Sequence, residues 1–506
     1  MRGVARSPAA RLRRRALIGA LAVLAALPGV PGAVGASGEG TAQEAVATNF
    51  ELVGHSPLDN RGMNAALAVH GDYAYVGSRT DGKPWGTELN LNDAGIKVVN
   101  ISNPASPTVV GEIGPPDQGL TDQTSREMRV WPEQELLIVQ NLSSNCSELI
   151  HYCSPTGGTP DVFDFYDISG ENASAPKKIA TYDPSSNPHE FFLWLDPFVP
   201  GRALIFISAT SAGRLLVTDI SGAREGQFRE LGSWSVPIPS GDLHSMGISN
   251  DGMRAYLAHL TGGFAVADTS DFVEDLPGAT GRLITPAARR VSWPGPGAHS
   301  AVKLFGKDYA FLADEVYGDA LAAPAFNPPH GCPWGWVRMI DIADPTTPAV
   351  AAEYKLPQNE AAFCDTDPPR PSTSISAHNP TLTPNLAFIT WHSGGFQAID
   401  ISDPANPVSA GAFVPDPLPA VVQEDPALSA GADKVVMWSF PVIEDGLIYV
   451  VDVRNGLYIL RYTGPHAEEV SSIEFLEGNS NLGDALRFEP PDPCLRSTPP
   501  PGTTCP

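Results

Sequence analysis

Positive charge is scarce in this 506-residue chain: 32 Lys and Arg stand against 57 Asp and Glu, a formal charge of −25. Binding a polyanion needs clustered cations that displace its counterions, so nucleic acid is excluded as a partner, and an anionic membrane surface with it. Cysteine is sparse too, with six in all and none in the C-x₂-C spacing of a thiolate zinc site. Long apolar runs are as few. The clearest, Ala16 to Leu27, is too short for a bilayer, which takes about 20 residues. Gly-x-Ser-x-Gly, His-Glu-x-x-His and Gly-x₄-Gly-Lys-Ser/Thr are all missing. Neither a hydrolase elbow, nor a helical zinc protease, nor a phosphate-cradling loop is signalled.

The one apolar run belongs to an expected leader. Arg2, Arg6, Arg11, Arg13, Arg14 and Arg15 precede it, and a small-residue stretch ending in Ala36 follows. That order is the order of a secretory signal peptide, so residues 1–36 are expected to be removed and the protein exported. Arg14-Arg15 also loosely fits a twin-arginine leader. Losing the leader removes six Arg and no acid, which leaves a mature charge of −31. Export suits disulfides. The simplest pairing is Cys146 with Cys153, Cys332 with Cys364 and Cys494 with Cys505, one of about fifteen connectivities.

What the chain has in plenty is turn formers, 48 Gly and 50 Pro. They punctuate a repeat. Short β-branched and aromatic runs end on Asn100, Asp167, Asp219, Asp268, Asp341 and Asp400, and a degenerate copy ends at Leu460. Each repeat holds four such runs. In the fifth they are Ser300 to Phe305, Tyr309 to Ala313, Val337 to Ile342 and Ala349 to Tyr354. Four strands in each of seven repeats predict an all-β fold, a single seven-bladed β-propeller of four-stranded antiparallel blades. Phe50 to Gly54 resembles a fourth strand and is expected to close the last blade, which would leave no open edge. Val470 to Phe475 is the competing closure.

The Val-Val-Asn-Ile and Ile-Asp-Ile cores, the trailing Asp-Pro-x-x-Pro of Asp344 to Pro348 and Asp403 to Pro407, and Tyr73 to Val76 resemble the LVIVD-repeat family of exported β-propellers. The resemblance covers roughly residues 48–464, with 37–47 a linker and 465–506 a polar, Pro-rich tail. It implies architecture and no settled reaction. Family repeats often carry His-Asp where this chain has His189-Glu190, His244-Ser245, His299-Ser300 and His378-Asn379.

Strand direction places the long inserts, such as 78–95, 142–161, 315–336, 358–374 and 415–433, on one face, called here the top. Inserts gathered on one face mark a binding face. His189, His244, His299 and His378 open their repeats at that rim, with His259, Asp314, Glu315 and His392 at the ends of second strands. Imidazole and carboxylate together suit a transition metal such as Cu, Zn or Fe. The bland alternative is a structural His copied with the repeat and bonded to a neighbouring blade. Ser245 and Ser300 sit beside His residues, but strand neighbours point to opposite faces, which disfavours a serine nucleophile. Trp334 and Trp336 would either stack a ligand or pack on the blade.

Two functions are expected from this. The first is an extracellular module that binds a protein or small molecule through the insert-rich face. The second is a metal-dependent oxidoreductase with a His-lined channel, similar in layout to selenium-binding, methanethiol-oxidase-like propellers. A monomer without a transmembrane span is expected in either case.

Overall fold

The computed structural model describes residues 45–79, 95–114, 123–143, 161–209, 213–239, 242–295, 297–316, 335–366, 374–424, 428–429, 434–497, 499, 503 and 505. All belong to the compact unit Thr41–Pro506. The stretch expected to be a leader, most of the inserts, Cys146, Cys153 and Cys332 lie outside the described residues, as does the side chain of Cys364.

Seven antiparallel sheets follow one another in chain order, which is a seven-bladed β-propeller. The innermost strands are Asn64–His70, Gln123–Trp131, Glu190–Leu195, Ser245–Ile248, Ala298–Lys303, Pro380–Leu382 and Val442–Glu444. Blade five continues with Tyr309–Asp314, Val337–Asp341 and Ala349–Tyr354, within two residues of the spans expected from sequence.

The repeat marker has a local cause. At each of the six positions the Asn or Asp side chain accepts the N–H two residues on; in five the third strand ends at that residue, and in blade three it runs on to Gly222. Asn100 accepts from Ser102, Asp167 from Ser169, Asp219 from Ser221, Asp268 from Ser270, Asp341 from Ala343 and Asp400 from Ser402. This short side-chain turn ends a strand because it substitutes for a ladder bond. A second turn brings the chain back. Asp344 accepts from the Thr346 N–H and Asp403 from the Ala405 N–H.

Fully buried strands read as near-continuous apolar runs, and the core lies between neighbouring blades. Leu204, Phe206, Leu215 and Val217 of blade three pack with Leu257, Ala265 and Ala267 of blade four. The ring closes as expected: Phe50–Ser56 pairs with Gly456–Tyr462, and Phe50 packs against Phe388, Phe396 and Tyr462. Val46–Thr48 adds a fifth strand to blade six. The competing closure does not occur. Ala467–Ser471 is a helix, and Phe475–Glu477 pairs with Val442–Glu444, the inner edge of blade seven instead of its outer one. Trp336 packs on the blade, with the Arg338 guanidinium 4.6 Å and the Lys355 ammonium 4.2 Å from its ring. Among the described residues no helix is long and apolar enough to cross a membrane.

Candidate metal centre

Four consecutive blades bring a histidine to one end of the central channel. His189 and His244 immediately precede the inner strands of blades three and four. His299 lies inside that of blade five, and His378 stands two residues before that of blade six. Neighbouring rings are in contact, edge-on between His189 and His244 and tilted in the next two pairs, with centroids 4.2, 4.0 and 4.4 Å apart from His189 through to His378. His392 and Glu315, just past second strands, join them, and Glu190 enters beside His189. All seven side chains are buried.

The polar atoms converge. His299 Nε2 lies 3.6 Å from Glu190 Oε1 and 3.3 Å from Glu315 Oε2. His378 Nε2 and His392 Nε2 lie 3.5 and 3.0 Å from Glu315 Oε1. His244 Nδ1 lies 3.7 Å from Glu190 Oε1. These separations run from 3.0 to 3.7 Å. Two sets bring three ligand atoms within 4.8 Å of one another and could hold a metal ion: Glu190 with His244 and His299, and His299 with Glu315 and His378. Each is two imidazoles and one carboxylate, and His299 belongs to both.

The far nitrogens are already engaged. His299 Nδ1 is 2.7 Å from Ser300 Oγ, whose hydroxyl donates to Asn379 Oδ1. His378 Nδ1 is 2.7 Å from the Trp438 carbonyl and His392 Nδ1 is 3.0 Å from Ser374 Oγ. Such bonds fix ring orientation; the Trp438 carbonyl and the Ser300 hydroxyl, which donates onward, accept from Nδ1 of His378 and His299 and leave their Nε2 unprotonated toward the cluster, as ligating histidines require. His244 is turned the other way: its Nε2 is 2.7 Å from His189 Nε2, so Nδ1 faces Glu190. That Nδ1 and Glu190 Oε2 have no hydrogen-bond partner of acceptable length and angle. His392 holds a left-handed backbone, φ 40°, a strained state for a non-glycine residue.

Burial sets the protonation. It drives His244 and His299 well below the ordinary imidazole pKa, helped by the neighbouring rings. His378 falls to about 3, again through burial, against the pull of Glu315. Glu190 rises well above the usual carboxylate range through burial and the nearby charge of Glu127, opposed by a Ser245 hydrogen bond and Arg129. Neutral imidazoles facing a carboxyl group that is costly to ionise leave a place for added positive charge.

Of the eight residues singled out by sequence, His244, His299, His378 and Glu315 fall in the two metal-capable sets. His392 approaches through Glu315, and His189 approaches through His244. Asp314 is held elsewhere, by Arg338 at 2.6 Å, the Trp293 indole at 3.0 Å and the Gly297 N–H. His259 and His392 are not equivalent. His259 N–H bonds Gly263 O just as Trp391 N–H bonds Gly395 O, so Leu260 is the counterpart of His392. Glu190 was not among the eight. Its signal was an acid at the position where the other histidines are followed by Ser or Asn. Strand alternation misjudged Ser300. A bulge between Ala298 and Ser300 turns its hydroxyl to the His299 ring, where it serves as a hydrogen-bond link.

The LVIVD repeat pattern matches residues 61–82, 91–113 and 381–414. No curated protein matches by sequence. Among solved structures, the Chaetomium thermophilum protein Sqt1, bound to the N-terminus of ribosomal protein L10, is 14% identical. The match covers 80% of this chain and 89% of that one at a TM-score of 0.42. A protein from Lactobacillus plantarum is 11% identical over 73% of this chain and 86% of that one, at 0.40. The chain is a seven-bladed β-propeller that carries matches to the LVIVD repeat in its first and sixth blades.

Proposed function

We propose that the protein binds a transition-metal ion at the top of its channel and carries out metal-dependent chemistry there, as an oxidoreductase. The observation that carries this reading is the pair of overlapping two-imidazole, one-carboxylate sets sharing His299. That donor combination, with open positions, suits non-haem iron. It suits a thiolate-preferring ion such as Cu(I) poorly. The ion would supply Lewis acidity and, for iron, electron transfer. The chain would supply orientation. Ser300, Ser374 and the Trp438 carbonyl hold the rings, and His189 holds His244. A small-molecule substrate fits a buried centre better than a protein does. The reading of a binding module acting through the inserts rests on segments that are mostly outside the described residues. Export by the expected leader and a monomeric state remain part of the proposal.

Elemental analysis tests the reading on protein exported by a bacterial host, beside a His244→Ala/His299→Ala variant. The expected result is close to one transition metal per chain, lost in the variant. Less than about 0.1 per chain in the unaltered protein, before and after anaerobic Fe(II) loading, would overturn it, because a built site should retain its ion through purification.

A further inference from the structure

The inner strands of a propeller leave N–H and C=O groups facing the channel, and such groups need partners. In this chain the C-terminal segment provides them. Phe475–Glu477 runs antiparallel to the inner strand of blade seven. The chain then turns at Gly478, where a Cβ would stand 2.3 Å from the Pro380 carbonyl oxygen and 2.6 Å from the Phe440 ring. Beyond the turn it descends along the inner strand of blade three. Leu193 N–H donates to Asn479 O, Asn481 N–H to Leu193 O, and Asn479 Nδ2 to Phe191 O at 2.7 Å. Asn481 accepts from Leu195 N–H and donates to Leu195 O, both at 2.8 Å.

The same segment is tied to other blades. In blade two the Arg129 guanidinium reaches Asn479 O at 3.4 Å and Glu477 at 3.9 Å. In blade four Asn250 Nδ2 donates to Ala485 O and Glu489 O, and in blade five Lys303 pairs with Glu489 at 2.6 Å. Arg496 pairs with Asp196 at the turn of blade three. Glu477, Asn479, Ser480, Asn481 and Leu482 are buried. Asn479 bonds the carbonyl of Phe191, which directly follows Glu190, so the turn of the segment lies next to the inner strand that carries Glu190.

We infer that residues 475–489 are a built-in stopper of the lower channel, so that the centre above is served from the insert-bearing face. The docking is strand addition within one chain: backbone bonds supply the affinity, and the side chains of Asn479 and Asn481 fix the register. Closure of the lower mouth does not depend on metal. Only its consequence for access rests on the proposed function.

Two alterations of the full chain test it. A protease site placed between Gly464 and Pro465 is cut after folding, and Gly478→Val drives the turn into the Pro380 carbonyl. Hydrogen exchange is read at the Leu193 and Leu195 amides, with Leu216 as a control within blade three. The expected result is that the cut segment co-elutes with the ring and both amides stay protected. In Gly478→Val both should exchange at least about tenfold faster while Leu216 is unchanged. A cut segment that leaves with both amides still protected, or a valine variant that exchanges like the unaltered protein, would overturn the stopper. In metal-loaded protein, a chelator should strip the valine variant about tenfold faster. An unchanged rate with the segment displaced contradicts closure. A protein that takes up no metal contradicts the proposed function and leaves the amide result to decide the stopper.

Discussion

His189 and His244, from adjacent blades, meet through their Nε2 atoms at 2.7 Å. One of the two must carry the shared proton. If His244 donates it, His244 Nδ1 is left unprotonated where it faces Glu190. His189 is thereby a positioning residue, acting on the metal through another ring. His189→Ala should weaken metal affinity by about 10–100-fold, the usual effect of losing an orienting partner. His189→Gln, which keeps an acceptor, should restore part of it. Competition with a chromophoric chelator measures both, and equal losses in the two variants would contradict the orienting role.

His299 is common to both donor sets. His299→Ala should abolish stoichiometric binding, whereas His378→Ala leaves Glu190, His244 and His299 and should retain weaker binding. Metal titrations on the two variants should therefore differ. Identical behaviour would mean that the donors do not overlap as described.

Asp314 and Arg338 are both fully buried and 2.6 Å apart. Arg338→Met strands the carboxylate and should destabilise the fold by about 3–5 kcal/mol, as removing one partner of a buried pair does. Asp314→Asn in the same chain should recover much of that loss. Metal content of the folded fraction should not change, since neither residue faces the cluster. Denaturant unfolding and elemental analysis check the two halves separately.

Glu444 accepts the Gly71 N–H across the junction of blades one and seven, and burial, with the charges of Asp445 and Asp72, raises it from 4.5 to about 7. A carboxyl group raised on folding contributes stability that is full below pH 4.5 and is lost as pH rises through about 7. Glu444→Gln keeps the hydrogen bond without the charge. Its melting temperature should match the unaltered protein at pH 4.5 and exceed it at pH 8. The gain should be roughly 1–2 kcal/mol, discounted for the group's partial exposure. Equal melting at pH 8 would show that the carboxylate is not strained.

Much of the ring was legible because its signals are local. The Asn or Asp marker of six third strands makes its turn within two residues, so the repeat shows directly in sequence. The N-terminal closure was legible because Phe50 to Gly54 copies a fourth strand. Three other features depend on distant partners. Glu190 reads as a strand residue until blade five brings His299 to 3.6 Å. His259 and His392 look equivalent until the turn bonds show which residue faces the next blade. The stopper has no periodic signal because its partners are the edges of other blades, from Arg129 to Lys303.

Anomalous diffraction from crystals of the iron-loaded protein, collected across the iron absorption edge, tests the central claim most directly. One peak is predicted within about 2.5 Å of His299 Nε2, with a Glu190 or Glu315 oxygen and a second histidine nitrogen at a similar distance. A loaded protein whose only peak lies away from these side chains, or that shows no peak, would contradict the metal centre.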